Sequence, residues 1–277
     1  MRLEILNRPA ANGVGGVLKT AEFSGQAVNI VGGAAVFSPK RAINITAERP
    51  LGVVKGDLAG LSAAMRAAFF DFSQLYYELP ADPYLQDGAS FRRRCFSTYT
   101  VTADVEELSV SLDPPRSYFQ SAEINRYAGG ISREFAPIPE RYANNEFLVA
   151  AIRNSFQLLP VEMRSSHSAW EAGVHPTRIV SDETQVGYAA PEGIHQDGHS
   201  FATIILIARN NVVGGSSIFA DLDKRIFWDR PLLDPLDTVI WEDKYCFHDV
   251  SAVDMEDKSC GAYRDVLGIS WNPSRRG

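Results

Sequence analysis

Leu58, Leu61, Met65, Phe69 and Phe72 recur at intervals of three and four residues within Asp57–Leu79, the spacing that lines up apolar side chains on one helical face. Asp57 can cap the start and Pro80 stops the pattern, which predicts an amphipathic helix packed on a sheet. The aromatics of that face read as core, not as a cofactor box. Asn144–Leu159 repeats the pattern, with Phe147, Leu148, Ala151, Ile152 and Phe156 on one side and Pro160 after it. A short third helix is predicted between Val161 and Ala172. Over Arg92–Val105 polar and apolar residues alternate from Cys95 onward, which predicts a strand.

From Thr177 the texture changes to short β-type runs: RIVSDETQVGYAAP, FATIILIARNN, GSSIFADLD, DTVIWEDK, CFHDVSAV and YRDVLGISW. Turn signals at Asn210–Gly215, Asp234–Asp237 and Glu256–Gly261 separate them. Short strands at regular spacing, with no long helix between them, predict an antiparallel sandwich or jelly roll rather than a parallel α/β sheet. The expected fold class is α+β, mainly β, with a jelly-roll core flanked by N-terminal helices. No linker divides the chain, so residues 1–277 are read as one domain. Gly13–Gly16 reads as a flexible turn, because it lacks G-x-G-x-x-G spacing and no helical pattern follows. Ala27–Phe37 reads as a buried strand.

Composition narrows the partners. With 45% hydrophobic and 22% charged residues, the 277-residue chain is globular. Lys and Arg total 27 against 34 Asp and Glu, a net charge of −7, which argues against nucleic acid and for a small-molecule ligand. The longest apolar run, Phe201–Ala208, is too short to span a bilayer, so no membrane is expected. MRLEILNRP lacks the apolar stretch of a signal peptide, and three scattered cysteines suggest a reducing compartment; the expected location is cytoplasmic.

The candidate chemistry sits in Gly193–Gly198 (GIHQDG), just before the run FATIILIA. In extended backbone, residues two apart share a side, so His195 and Asp197 can aim at one point. His248, in CFHDV, lies on a strand that a sheet can bring alongside. Two imidazoles and one carboxylate form the facial triad of non-haem Fe(II) sites. A lone H-x-D is weak, and a hydrogen-bonded loop histidine is the competing reading of His195. His199 competes as a ligand, but Gly198 and the strand start turn it away. His167 and His175 are read as structural. Arg264, in YRDVLGISW, offers a rigid bidentate partner for a carboxylate, such as the distal carboxylate of a dicarboxylic 2-oxo acid chelating the metal. A salt bridge to Asp265 or Glu256 is its alternative. Strand alternation puts Arg264, Val266, Gly268 and Ser270 on one side.

On PEGIHQDGHSF (Pro191–Phe201), NNVVGGSSIFADLDK (Asn210–Lys224), CFHDVSAV (Cys246–Val253) and YRDVLGISW (Tyr263–Trp271), the sequence resembles the Fe(II)/2-oxoglutarate-dependent dioxygenases, and within them the bacterial free-amino-acid hydroxylases. FRRRCFSTY and FQSAEINRYAGGISREFAPI upstream also look like family segments, so the resemblance covers about residues 85–272. It implies a double-stranded β-helix core over that span, with His195, Asp197 and His248 as iron ligands and Arg264 holding 2-oxoglutarate. It implies Fe(II), 2-oxoglutarate and O₂ as cofactor and co-substrates, with ascorbate as reductant in vitro. The reaction implied is hydroxylation of an unactivated C–H as 2-oxoglutarate is decarboxylated to succinate. Gly214–Gly215 would make a tight turn between two jelly-roll strands. Residues 1–50 lie outside the resemblance and are read as a variable extension, either a lid or the contact of a homodimer.

A free amino acid needs a cation for its carboxylate and an acid or carbonyl for its ammonium. Arg94, Gln120 and Arg178 are the candidate substrate residues, with Arg92 and Arg93 as competitors; Glu123 or Asp182 could meet the ammonium. Tyr118, Phe119, Tyr127 and Trp241 could shape the pocket, although buried aromatics are usually core. Aliphatic, cyclic imino and polar amino acids fit alike, and desaturation or sulfoxidation fits as well as hydroxylation. The competing functions are an oxygenase acting on a carrier-tethered or protein residue, a non-catalytic metal-binding jelly-roll sensor, and a cupin-type hydrolase or isomerase.

Overall fold

A computed structural model describes residues 3–5, 45–86, 88–103, 108–124, 127 and 129–274. The turn expected at Gly13–Gly16, the strand expected at Ala27–Phe37 and the end of Arg92–Val105 lie outside the described residues. The first half carries strands β1 (Leu3–Ile5), β2 (Leu51–Val54), β3 (Arg92–Arg94), β4 (Ser97–Ala103), β5 (Leu108–Leu112), β6 (Tyr118–Phe119) and β7 (Ser132–Arg133). Its helices are α1 (Ala63–Ser73), α2 (Leu75–Glu78), α3 (Glu140–Ala143), α4 (Glu146–Leu158) and α5 (Val161–Arg164). The second half is strand apart from one 3₁₀ turn at Asp243–Tyr245: β8 (Ala169–Ser181), β9 (Phe201–Asn210), β10 (Val212–Gly214), β11 (Ser216–Ala220), β12 (Ile226–Pro231), β13 (Thr238–Glu242), β14 (Phe247–Val250), β15 (Val253–Met255) and β16 (Ala262–Pro273). A nine-stranded antiparallel sheet runs β1-β2-β13-β9-β16-β8-β4-β5, with β3 beside β8; β12-β11-β14 forms a smaller sheet opposite it. Among the described residues, no helix is long and apolar enough to cross a membrane.

Strand alternation sorts the core into two layers. On β9, β13 and β16, Ile205, Ile207, Ile240, Leu267, Ile269 and Trp271 join the helices in one cluster. Their neighbours Ala202, Leu206, Val239, Trp241 and Val266 face the small sheet and meet Phe219 and Trp228 in a second cluster. The helix side is sealed by α1 against α4, with Phe69 and Phe147 edge to face at 5.0 Å. A fully buried aromatic of this kind contributes about 1.5–3 kcal/mol by leaving water.

Several sequence expectations shift on contact with the fold. The first helix starts at Ala63, not Asp57: Ser62 accepts from Met65 N, while Asp57 closes a turn of its own by accepting from Gly60 N at 2.8 Å. Asn145 caps α4 by accepting from Phe147 N and Leu148 N. The strand expected over Arg92–Val105 is one ladder along β8, interrupted at Cys95–Phe96. Opposite the interruption stands Pro176, which has no N–H to give. The helix expected before Ala172 is only α5, and β8 begins at Ala169, eight residues before Thr177. Pairing of β8 with β16 along its whole length overrides the local preference of its Ala and Glu residues. Gly214 and Gly215 do not reverse the chain. Register runs on from β10–β15 into β11–β14, and the pair, with φ 77° and 65°, kinks this continuous ribbon. A Cβ on Gly214 would lie 2.1 Å from Ala252 O, which only glycine avoids.

Candidate active site

His195 sits in the loop entering β9, where a reciprocal backbone bridge ties it to β14. His195 N donates to His248 O at 3.0 Å, and His248 N donates to His195 O at 2.8 Å. The two rings therefore stand side by side, centroids 4.3 Å apart. Asp197 brings its carboxylate between them, Oδ1 3.5 Å from His195 Nε2 and Oδ2 3.3 Å from His248 Nε2. One ligand atom from each residue lies within 4.8 Å of the others, close enough to share one ion. His195 Nδ1–H donates to Gly193 O at 2.7 Å, which turns Nε2 toward Asp197 and the position a shared metal would take. The buried Asp243 carboxylate pins the loop, accepting from Asp197 N at 3.2 Å and Gly198 N at 2.7 Å. Burial disfavours every charge here, yet mutual attraction wins. Asp197, Glu192 and the Gly193 carbonyl lift His195 to about 9, and the two imidazoles hold Asp197 well below the usual carboxylate range. A divalent cation is the natural replacement for those protons.

A cavity of about 200 Å³ between the two sheets opens onto the triad. Val239, Trp241, Phe219 and Val266 give it apolar walls, and the Trp241 ring lies 4.8 Å from that of His248. Arg264 lines it from β16, on the same side as Val266, Gly268 and Ser270. Only 1% exposed, Arg264 leaves Nε and Nη2 without a hydrogen-bond partner among the described residues. Burial and the neighbouring Arg209 push its guanidinium down to about 10. A second cationic pole stands elsewhere in the same cavity. Arg94 Nη2 donates to His175 Nδ1 at 2.6 Å, and Arg133 Nη2 donates to Gln120 Oε1 at 2.5 Å. Arg94 and Arg133 each keep a buried Nε with no hydrogen-bond partner among the described residues. Gln120 in turn donates to Asp197 Oδ1 at 3.2 Å, joining this pole to the triad.

A family model described as 2OG-Fe dioxygenase matches residues 73–270. The chain belongs to the 2OG-Fe dioxygenase family. L-isoleucine-4-hydroxylase of Bacillus thuringiensis is 26% identical over 199 residues, covering 71% of this chain and 80% of that protein. The solved structure of IDO from Bacillus thuringiensis superposes with a TM-score of 0.68 at 21% identity, over 82% of this chain and 95% of that one. A bsmA homologue from Methylobium petroleophilum gives 0.66 at 23% identity, over 78% and 84%. The fold is thus that of the jelly-roll 2OG-Fe dioxygenases, and the protein is a non-haem iron oxidoreductase. The family uses Fe(II), 2-oxoglutarate and O₂. The residues present suit them: two imidazoles and one carboxylate are the donor set of Fe(II) oxygenases, and an orphaned buried guanidinium suits a carboxylate.

Within this dioxygenase the sequence-based candidates separate. His195, Asp197, His248, Arg264, Arg94 and Gln120 all line the one cavity, with Tyr118, Tyr127 and Trp241. Arg92 joins them but is committed, donating to Asp82 Oδ2 at 2.8 Å and Ala189 O at 2.9 Å. Arg178 does not join them. It lies on the opposite face of β8, bidentate to Asp265 at 2.7 Å for both bonds and stacked between Tyr77 and Tyr263. Arg178→Ala should therefore strand a buried carboxylate and cost about 3–5 kcal/mol of stability while leaving the substrate KM unchanged. Thermal melting and steady-state kinetics check this, and a raised KM at wild-type stability would return Arg178 to the substrate. Phe119 points outward, 62% exposed; Glu123 is exposed, and Asp182 caps the turn at Thr184. His175 and His199 line the cavity, His175 as the partner of Arg94 and not as a remote structural residue. Arg133, Glu192 and Asp249 are cavity residues that sequence reasoning missed. Register offered the one signal for Arg133, which pairs with Tyr118 across β6–β7.

Proposed function

We propose that this protein hydroxylates an unactivated C–H of a free L-amino acid, with His195, Asp197 and His248 holding Fe(II) and Arg264 holding the distal carboxylate of 2-oxoglutarate. One observation carries the reading: a single cavity bears the triad and two separate cationic poles. The carboxylate of 2-oxoglutarate satisfies the first, at Arg264. The second, at Arg94 and Arg133, needs another anion, and an amino acid's own carboxylate supplies it. Glu192, 3.7 Å from His195 Nε2, provides an acidic group for the ammonium. L-isoleucine-4-hydroxylase activity in a relative supports the same substrate class.

Bound at the triad, Fe(II) with 2-oxoglutarate and O₂ supplies the oxidant that turns C–H into C–OH, releasing succinate and CO₂. The chain contributes position. Its two poles fix both anions, so that one substrate carbon is held toward the triad, and such orientation is a large part of catalysis. Phe219, Val239, Trp241 and Val266 keep the reacting end dry. No side chain has to move a proton in this scheme.

Aerobic incubation with Fe(II), 2-oxoglutarate and ascorbate against the proteinogenic L-amino acids tests the reading. Expected is one amino acid gaining a single oxygen with matching succinate. Succinate without any modified free amino acid would move the substrate to a tethered or larger molecule. Bound iron with no succinate at all would leave a metal-binding module.

A further inference from the structure

The direction of a hydrogen-bond chain leading into the second pole is dictated by the backbone. Ser200 N–H reaches Trp271 O at 3.0 Å and Asn272 Oδ1 at 3.1 Å. An N–H only donates, so the Asn272 amide must turn its oxygen to Ser200 and its nitrogen to His199, where Nδ2 stands 2.9 Å from Nδ1. An amide nitrogen also only donates, so His199 Nδ1 is bare and the ring carries its proton on Nε2. That Nε2 lies 3.2 Å from the Tyr118 hydroxyl, whose oxygen it must donate to. The tyrosine's own proton is then turned away from His199 and left for the cavity that Tyr118 lines.

The neighbours of Tyr118 are oriented the same way. Arg94 can only donate, so His175 Nδ1 is bare and Nε2 carries the hydrogen. Gln120 has its oxygen taken by Arg133 and its nitrogen by Asp197. Tyr118 packs against this charge, with the Arg133 guanidinium 4.9 Å from its ring centroid and the His175 ring at 5.1 Å. Among the described residues, what remains at this pole is donors: Tyr118 O–H, His175 Nε2–H and the Nε–H groups of Arg94 and Arg133.

We propose that the relay Ser200→Asn272→His199→Tyr118 makes Tyr118 an obligatory donor and completes a donor-only pocket for the substrate's free carboxylate, with Asn272 and His199 as positioning residues. The identity of the ligand rests on the amino-acid reading above; the direction of the relay does not. A carboxylate is acceptor-only and satisfies such a pocket, whereas a carboxamide would set its NH₂ against donors. An aminoacyl group tethered through its carboxyl would leave the pocket empty of charge. The relay thus selects free amino acids over their amides and over carrier-bound forms.

Asn272→Asp is the isosteric test, because a carboxylate accepts from both sides. His199 must then donate from Nδ1, Nε2 becomes bare, and the Tyr118 proton is drawn to it and away from the cavity. Histidine ¹⁵N spectra of the full chain with Zn(II) and 2-oxoglutarate should show the His199 proton on Nε2 in the wild type and on Nδ1 in Asn272→Asp. A wild-type proton on Nδ1 overturns the relay. In kinetics with the amino acid found by the panel, Asn272→Asp and Tyr118→Phe should each raise its KM by at least about tenfold, the worth of one hydrogen bond to a charged group. The KM for 2-oxoglutarate should stay within about twofold, and the double variant should be no worse than either single one, since both remove the same bond. Additive losses, or an unchanged KM in Asn272→Asp, overturn the role given to Tyr118. Should Asn272→Asp fail to fold, the wild-type spectrum and Tyr118→Phe decide the matter alone. Should no free amino acid be turned over, the ligand assignment falls with the amino-acid reading, while the spectrum still settles the relay's direction.

Discussion

His248→Ala should yield a folded protein that neither retains Fe(II) nor forms succinate. The fold survives because the bridge between His195 and His248 is made by main-chain atoms, which alanine keeps. The imidazole itself is only partly buried and packs on Trp241 and Phe219, so its loss opens space at a cavity wall without unseating the core. What disappears is one of three ligand atoms and the imidazole partner that holds Asp197 ionised. Loss of a residue that merely supports a ligand costs roughly 10–100-fold in metal affinity or activity, so loss of a ligand should cost more. Anaerobic Fe(II) titration, succinate assay and thermal melting on one preparation read the three outcomes separately. Stoichiometric iron with wild-type turnover would remove His248 from the centre.

Legibility followed period and parity. The pair His195 and Asp197 was readable because two residues of spacing in extended chain is a geometric statement. Arg264 was readable because β16 alternates without interruption from the helix-facing Leu267 and Ile269 to the cavity-facing Val266 and Gly268. The same parity rule explains why Arg178 lies outside the cavity. It shares β8 with His175 and Thr177, which line the cavity, and a residue one step away faces the other side. The rule was available, but it needed His175 to be recognised as a cavity residue first. Arg133 could not be reached this way, since its strand is two residues long and its place depends on pairing with Tyr118. The two glycines at Gly214–Gly215 announce an unusual backbone without saying whether the chain reverses or kinks. The relay through Asn272 depends on which residues meet across 73 positions of sequence, something no local pattern carries.

Arg264→Ala should raise the KM for 2-oxoglutarate by about 10²–10⁴-fold while leaving iron binding intact, because charge-assisted bonds to a buried carboxylate are worth about 1.5–3 kcal/mol each and a guanidinium can make two. The variant also has a sign that separates a ligand clamp from a structural residue. In the free protein Arg264 is a buried cation, its Nε and Nη2 partnerless among the described residues, with Arg209 as a like-charged neighbour and Gly215 so close that a Cβ there would sit 3.1 Å from its Cδ. Burial outweighs the attraction of the neighbouring Asp265, so removing this charge relieves a desolvation cost and the ligand-free variant should melt no lower than the wild type. The wild type should gain melting temperature when 2-oxoglutarate is added, since a ligand that binds only the folded state stabilises it, and the variant should lose that gain. Arg264→Lys keeps the charge but not the fork, and should recover part of the affinity. An alanine variant that melts early with an unchanged KM would make Arg264 a structural residue. An unchanged KM together with an undiminished 2-oxoglutarate shift would place the clamp at Arg94 and Arg133, and would leave the substrate's carboxylate without its pole.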